Sequence, residues 1–212
     1  MVKYEWRKNE KELYLPKDKP ELITVPKQKF FMIKGKGNPN DSDFSERVGV
    51  LYSLAYGVRM MPKNGFTPEG YFEYTVYPLE GLWDLTDEGK KQAELNKNEL
   101  LYTIMIRQPE FVTKEIAERA FDIVRKKKPH PFLDEVVFGE LEDGLCVQIM
   151  HTGAYDDEPE SFTKMKQFIN DNNLQIASLV HREIYVKANK DECSAEDLKK
   201  LKTVLRYRVN KK

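Results

Sequence analysis

The sequence predicts an α+β fold: duplicated β-α-β-β units forming one antiparallel sheet, with helices on one face and a pseudo-two-fold ligand cleft on the other. Three observations carry this. Segments with strand alternation and segments with helical spacing follow one another in the same order in both halves. IKGKGNPNDSDF in the first half matches IMHTGAYDDEPESF in the second, which sets Gly37 against Gly153 and Phe44 against Phe162. YFEYTVY then overlays HREIYVK, with Glu73 on Glu183, and LLYTIMIR overlays LKTVLRYR.

Taken in order, residues 1–21 are a polar surface arm carrying Pro16 and Pro20, with room for one short helix. QKFFMIKGK (28–36) alternates and ends at Gly35 and Gly37, as a strand does. Val48, Leu51, Tyr52, Ala55 and Val58 recur at helical spacing, and MPKNGFTPEG after them is a loop by its prolines and glycines. YFEYTVY (71–77) is aromatic or β-branched almost throughout and alternates, so it is assigned as a strand. PLEGLWDLTDEGKKQAELNKNE is a connection, and ELLYTIMIRQP is a strand stopped by Pro109. A helix over 113–127, with Ile116, Ala120, Phe121 and Val124 on one face, is an insertion between the halves. The second half repeats the plan: a strand at 145–151, a helix faced by Phe162, Met165, Phe168 and Ile169, a strand at 178–186, a short helix capped by Ser194, and a closing strand in LKTVLRYRV. The chain is read as a single domain over 1–212, with the first half at 22–107, the inserted helix and linker at 108–142, and the second half at 143–210.

Composition narrows the function. The chain has 212 residues, 40% of them apolar, enough for a real core and too much for global disorder. Lys plus Arg is 35 and Asp plus Glu is 35, so the net charge is zero. A domain that neutralises nucleic-acid phosphates needs a positive excess, so direct nucleic-acid binding is not expected. No apolar run is long enough to span a membrane, and the N-terminal residues have no apolar signal core. Cys146 and Cys193 make no disulfide framework, which fits a cytoplasmic protein. No phosphate loop, dinucleotide fingerprint, nucleophile elbow or metal-ligand spacing is present, and no cofactor or metal is expected. The RKKK run at 125–128 is read as a helix end, where cations suit the dipole, the locally basic C-terminal KKLKTVLRYRVNKK and the DDEPE run at 156–160 as solvated surface, and Cys146 as a small core residue.

Glu183 is the sharpest candidate. It lies inside an apolar strand, where a carboxylate is costly to bury without a partner. Alternation puts His181, Glu183 and Tyr185 on one face and Ile184 and Val186 on the other; the second set is assigned to the helices and the first to the cleft. Glu183 is then either a solvated residue on an open sheet face, an anchor for a ligand cation, or a general base for water. Tyr71, Glu73, Thr75 and Tyr77 form the corresponding face in the first half, with Trp83 shortly after, and aromatic rings around a carboxylate suit flat or cationic organic molecules. His151 ends a strand bordering the cleft, and His130, between prolines, is read as exposed.

PEGYFEYTVYPLEGLW, HREIYV and the ending LKTVLRYRV together resemble the GyrI-like small-molecule-binding proteins, over roughly residues 22 to 209. The resemblance implies the duplicated β-α-β-β fold, and a buried glutamate on the strand equivalent to HREIYV, here Glu183, that meets cationic aromatic ligands in multidrug-responsive regulators. With no DNA-binding region before the domain, the chain resembles the stand-alone cyclopropanoid cyclohydrolases. These add water across the strained ring of DNA-alkylating natural products. What this implies is Glu183 and Tyr71 as catalytic residues, Glu183 as base and Tyr71 as hydrogen-bond donor. Trp83, Tyr77, His151, Tyr155, Tyr185 and His181 are then the ligand-binding set. Asp84 stands where a second aromatic is expected, and Arg208 interrupts the usual ending on what is read as an edge strand. The alternatives are a non-catalytic binder of hydrophobic or cationic compounds or of a protein partner such as gyrase, and a haem carrier.

Overall fold

The structure is a computed structural model and describes residues 3–188 and 194–212. In chain order these form α1 (Trp6–Asn9), α2 (Lys11–Tyr14), β1 (Glu21–Val25), β2 (Gln28–Lys36), α3 (Ser42–Arg59), β3 (Leu79–Leu85), β4 (Leu100–Gln108), α4 (Lys114–Lys127), β5 (Val137–Leu141), β6 (Gly144–Thr152), α5 (Glu158–Asp171), β7 (Leu174–Lys187), α6 (Ala195–Leu198) and β8 (Lys202–Lys211). The fold is α+β, and every strand pairing within each half is antiparallel. Cys193 lies outside the described residues.

The chain divides into two compact units. The first comprises residues 3–5 and 28–141, with strand order β3-β4-β2-β5. The apolar alternation of QKFFMIKGK buries Phe31 and Ile33, and the helical stripe of α3 buries Leu51, Leu54, Ala55 and Val58. Helix α3 packs on β2 and β4. Helix α4 starts where the Thr113 side chain accepts from the Ile116 amide at 3.3 Å, and it lies against Gly57 of α3 through Ala120 and Val124.

The second unit comprises residues 6–27 and 142–212, with strand order β1-β6-β8-β7. On one face, Met165 and Ile169 of α5 close over Val147, Ile149, Leu205, Tyr207 and Val209. Residues 6–17 serve the other face. Trp6 and Tyr14 are buried with ring centroids 5.1 Å apart. The amide of Gln148 donates to the Glu12 carbonyl at 2.7 Å, Arg206 donates to the Leu13 carbonyl at 2.9 Å, and Arg7 to the Val186 carbonyl at 2.6 Å. The expected polar surface arm is thus a packed covering.

The repeat shows in the backbone. Gly37 after β2 and Gly153 after β6 both adopt positive φ, 111° and 140°, a region that favours glycine, so each half leaves its first strand through the same kind of turn. The register of the repeat differs from the expected overlay. Residues 71–77 are not a ladder strand; only Tyr74 forms an isolated bridge, to Tyr4. Their rings pack instead on Phe111, which lies 5.4 to 6.0 Å from Tyr71, Phe72 and Tyr74. The strand is 79–85, within the stretch read as a connection. Ile33 pairs with Ile104, which pairs with Gly81; Ile149 pairs with Leu205, which pairs with Glu183. The counterpart of Glu183 is therefore Gly81, not Glu73. Gly81 misleads as a loop signal because its role is local: a Cβ there would lie 2.6 Å from the Trp83 indole nitrogen.

Candidate functional site

The site is built on β7, in the second unit. Residues directly opposite one another in an antiparallel pair share a face. His181 lies opposite Tyr207, Glu183 opposite Leu205 and Tyr185 opposite Thr203. Leu205 and Tyr207 belong to the core beneath α5, so His181, Glu183 and Tyr185 lie on the helix side. The expectation that Ile184 and Val186 pack on that helix is corrected: they belong to the opposite face, with Arg182, Val204 and Arg206. There the Arg182 guanidinium pairs with Asp143 at 3.1 Å, and Arg206 donates to Gln148 at 2.8 Å.

Glu183 is buried, and both carboxylate oxygens are engaged. Oε1 lies 3.0 Å from His181 Nε2, and Oε2 accepts from the Tyr185 hydroxyl at 2.7 Å. Burial, and then the Glu183 charge and hydrogen bond, hold the Tyr185 hydroxyl well above the usual phenol range, so it remains a donor. The His181 ring is fixed by Phe162 at 4.8 Å and by Tyr207 at 6.0 Å, and Tyr155 meets Tyr185 edge-on at 5.9 Å.

A second carboxyl belongs to this cluster. Glu158, the first residue of α5, is 7% exposed, and its Oε1 accepts no hydrogen bond among the described residues. Burial first, then the charges of Glu183 and Asp156, push its pKa up to about 9. Burial beside the Glu183 side chain therefore favours the protonated form of the Glu158 carboxyl. The reading of DDEPE as solvated surface is corrected at this residue. The signal was available: positions 158, 162, 165 and 169 recur at helical spacing, so Glu158 continues the apolar stripe of α5.

This has a consequence for stability. Between the ordinary value of 4.5 and about 9, the folded protein holds a proton that the unfolded chain has lost, so stability falls as pH rises through that window. Glu158→Gln mimics the protonated form. Its melting temperature should match that of the parent near pH 4 and exceed it increasingly toward pH 9; parallel melting curves across that range would refute the assignment.

Residues 18–208 match the GyrI-like small molecule binding domain. The chain belongs to the GyrI-like family. Two crystal structures of Listeria innocua proteins described as hydrolases are 34% and 35% identical to it. They cover 98% and 99% of this chain and all of their own length, with TM-scores of 0.86 and 0.88. A crystal structure of an uncharacterized conserved protein from the same organism is 36% identical, covers 98% of this chain and all of its own, and has a TM-score of 0.88. No curated protein matches the chain.

Of the residues expected at the GyrI-like site, His181, Glu183, Tyr185 and Tyr155 come together. His151 is buried and committed to structure: Nε2 lies 2.9 Å from the Ala154 carbonyl and must donate to it, while Nδ1 lies 3.0 Å from the Ser161 hydroxyl. It ties the turn after β6 to α5. Tyr71, Tyr77 and Trp83 occupy three ring environments of the first unit. The Tyr71 hydroxyl donates to the Arg59 carbonyl at 3.1 Å, Tyr77 lies under the Arg107 guanidinium at 4.7 Å, and Trp83 stacks on Phe44 at 5.9 Å. Arg208 is exposed, but on a strand paired on both sides, not at an edge. His130 is partly covered: it accepts from the Phe132 amide and lies 3.4 Å from Glu46. Cys146 is buried and its thiol is pushed up to about 11 by that burial, which leaves it unreactive. Among the described residues no cluster of three or more His, Cys, Asp or Glu is arranged for a metal, and no helix is long and apolar enough to cross a membrane.

Proposed function

We propose that this GyrI-like protein binds flat aromatic xenobiotics and hydrolyses cyclopropanoid alkylating compounds in the cytoplasm, with Glu183 assisting the addition of water. The observation that carries the reading is the buried Glu183 carboxylate, held between His181 and the Tyr185 hydroxyl beside a protonated Glu158. The hydrolase description of two relatives about one-third identical supports it. In the reaction, the water oxygen bonds to the cyclopropane methylene carbon and the ring C–C bond breaks. The freed electron pair moves into the conjugated dienone, whose oxygen becomes a phenolate and takes a proton. The carboxylate favours removal of the water proton as the C–O bond forms. Tyr71 is assigned as donor to the developing phenolate, which requires it to exchange its bond to Arg59. Trp83, Tyr77, Tyr155, Tyr185, His181 and His151 are assigned to the ligand, His151 through the turn it anchors.

A non-catalytic binder is the second reading, favoured by the same buried carboxylate, which suits an aromatic cation. Incubation with a cyclopropane-containing alkylator in ¹⁸O-labelled water separates the two. Turnover well beyond one equivalent, with label in the ring-opened alcohol, is the expected result. Stoichiometric binding with the alkylator recovered intact would establish the binder.

A further inference from the structure

We propose that His181, held by Glu183, is the base that takes the proton from water; this names the proton acceptor of the hydrolytic reading and rests on it. Both oxygens of Glu183 already face hydrogen-bond partners, and its side chain is 11% exposed. A carboxylate in that position is poorly placed to meet water, and well placed to orient a neighbour.

His181 is that neighbour. A carboxylate oxygen only accepts, so the contact at 3.0 Å puts the hydrogen of the neutral imidazole on Nε2. Nδ1 then carries a bare lone pair, and among the described residues no hydrogen bond reaches it. The side chain is 22% exposed, twice as much as Glu183, which lets solvent reach the ring. Phe162 and Tyr207 meet the imidazole edge-on or nearly so, at interplanar angles of 75° and 67°, and fix its plane. Carboxylate, imidazole and water in that order form the arrangement in which a carboxylate sets the tautomer of a histidine and stabilises the imidazolium formed when the ring takes a proton.

The step balances within the proposed reaction. Nδ1 takes a proton from water as the water oxygen bonds to the cyclopropane carbon, and the electron pair of the broken C–C bond ends on the dienone oxygen. The imidazolium then returns its proton to solvent, so one water is consumed and the ring is restored.

His181→Gln keeps a donor toward Glu183 and much of the ring's bulk but has no base. It should lower turnover of the cyclopropane substrate by about two to four orders of magnitude. His181→Ala opens space for free imidazole, which should restore turnover at least about tenfold over the unsupplemented variant. Melting curves of both variants confirm that the folded protein is assayed. Nitrogen-15 spectra of the parent should show the proton on Nε2. Turnover by His181→Gln within about threefold of the parent, or a proton found on Nδ1, would overturn the assignment while leaving the hydrolytic reading intact. A parent that shows no turnover overturns that reading, and the role of His181 with it.

Discussion

Glu183→Gln is expected to lower turnover of a cyclopropane-containing alkylator by about two to four orders of magnitude, the scale of a lost general base or its orienting carboxylate. The amide preserves the shape and can still accept from Tyr185 at the position of Oε2. It can also turn its NH₂ toward His181 Nε2, which drives the imidazole hydrogen onto Nδ1 and removes the lone pair that water needs. The substitution also deletes the charge that helps to hold Glu158 protonated, so the Glu158 carboxyl should titrate at lower pH than in the parent. Measuring kcat/KM by product formation, with a melting curve on the same sample, checks the first expectation; undiminished turnover would remove Glu183 from the mechanism.

Trp83→Ala is expected to cost about 3–5 kcal/mol of stability, as large-to-small changes in a core do. Trp83 is 4% exposed on β3, with Phe44 at 5.9 Å, Tyr102 at 5.4 Å and Gly81 beneath the indole. For a chain of this size that loss corresponds to a melting temperature lower by about 6–20 °C. Ligand affinity is to be measured on the same variant, well below its transition. A clear fall in affinity supports Trp83 as a ligand contact. Unchanged affinity leaves it as core alone and removes it from the ligand set, while an unchanged melting temperature would contradict the packing described here.

Much of this architecture was legible in the sequence, and the failures have local causes. The turn glycines gave the repeat away because a strand that must leave through positive φ has little choice of residue. Glu183 stood out because a charge among Ile184, Tyr185 and Val186 is costly. The aromatic alternation at 71–77 resembles a ladder strand, although the rings of Tyr71, Phe72 and Tyr74 pack on Phe111. The true strand holds Glu80, Gly81 and Asp84, which read as connection. β1 and β5 leave little trace in the sequence because each has five residues, with Leu22 and Val137 turned outward. Along β7, alternation defines two faces without saying which one a helix covers, so the sequence leaves the direction of the pleat open. Glu158 was hidden by its neighbours: Asp156, Asp157 and Glu160 are exposed, and only the helical stripe distinguishes the buried member of the run.

The way residues 6–17 are fastened bears on how the domain is cut and how it drifts. Gln148 and Arg206 hold this segment by its main-chain carbonyls at Glu12 and Leu13, an attachment that does not depend on the side chains at those two positions. The family match begins only at residue 18. A fragment trimmed to that boundary would lose Trp6 and Tyr14 and expose Gln148 and Arg206, which are 0% and 2% accessible in the intact chain. Two polar groups built to grip a backbone would then face water, and the strands beneath them would lose their cover.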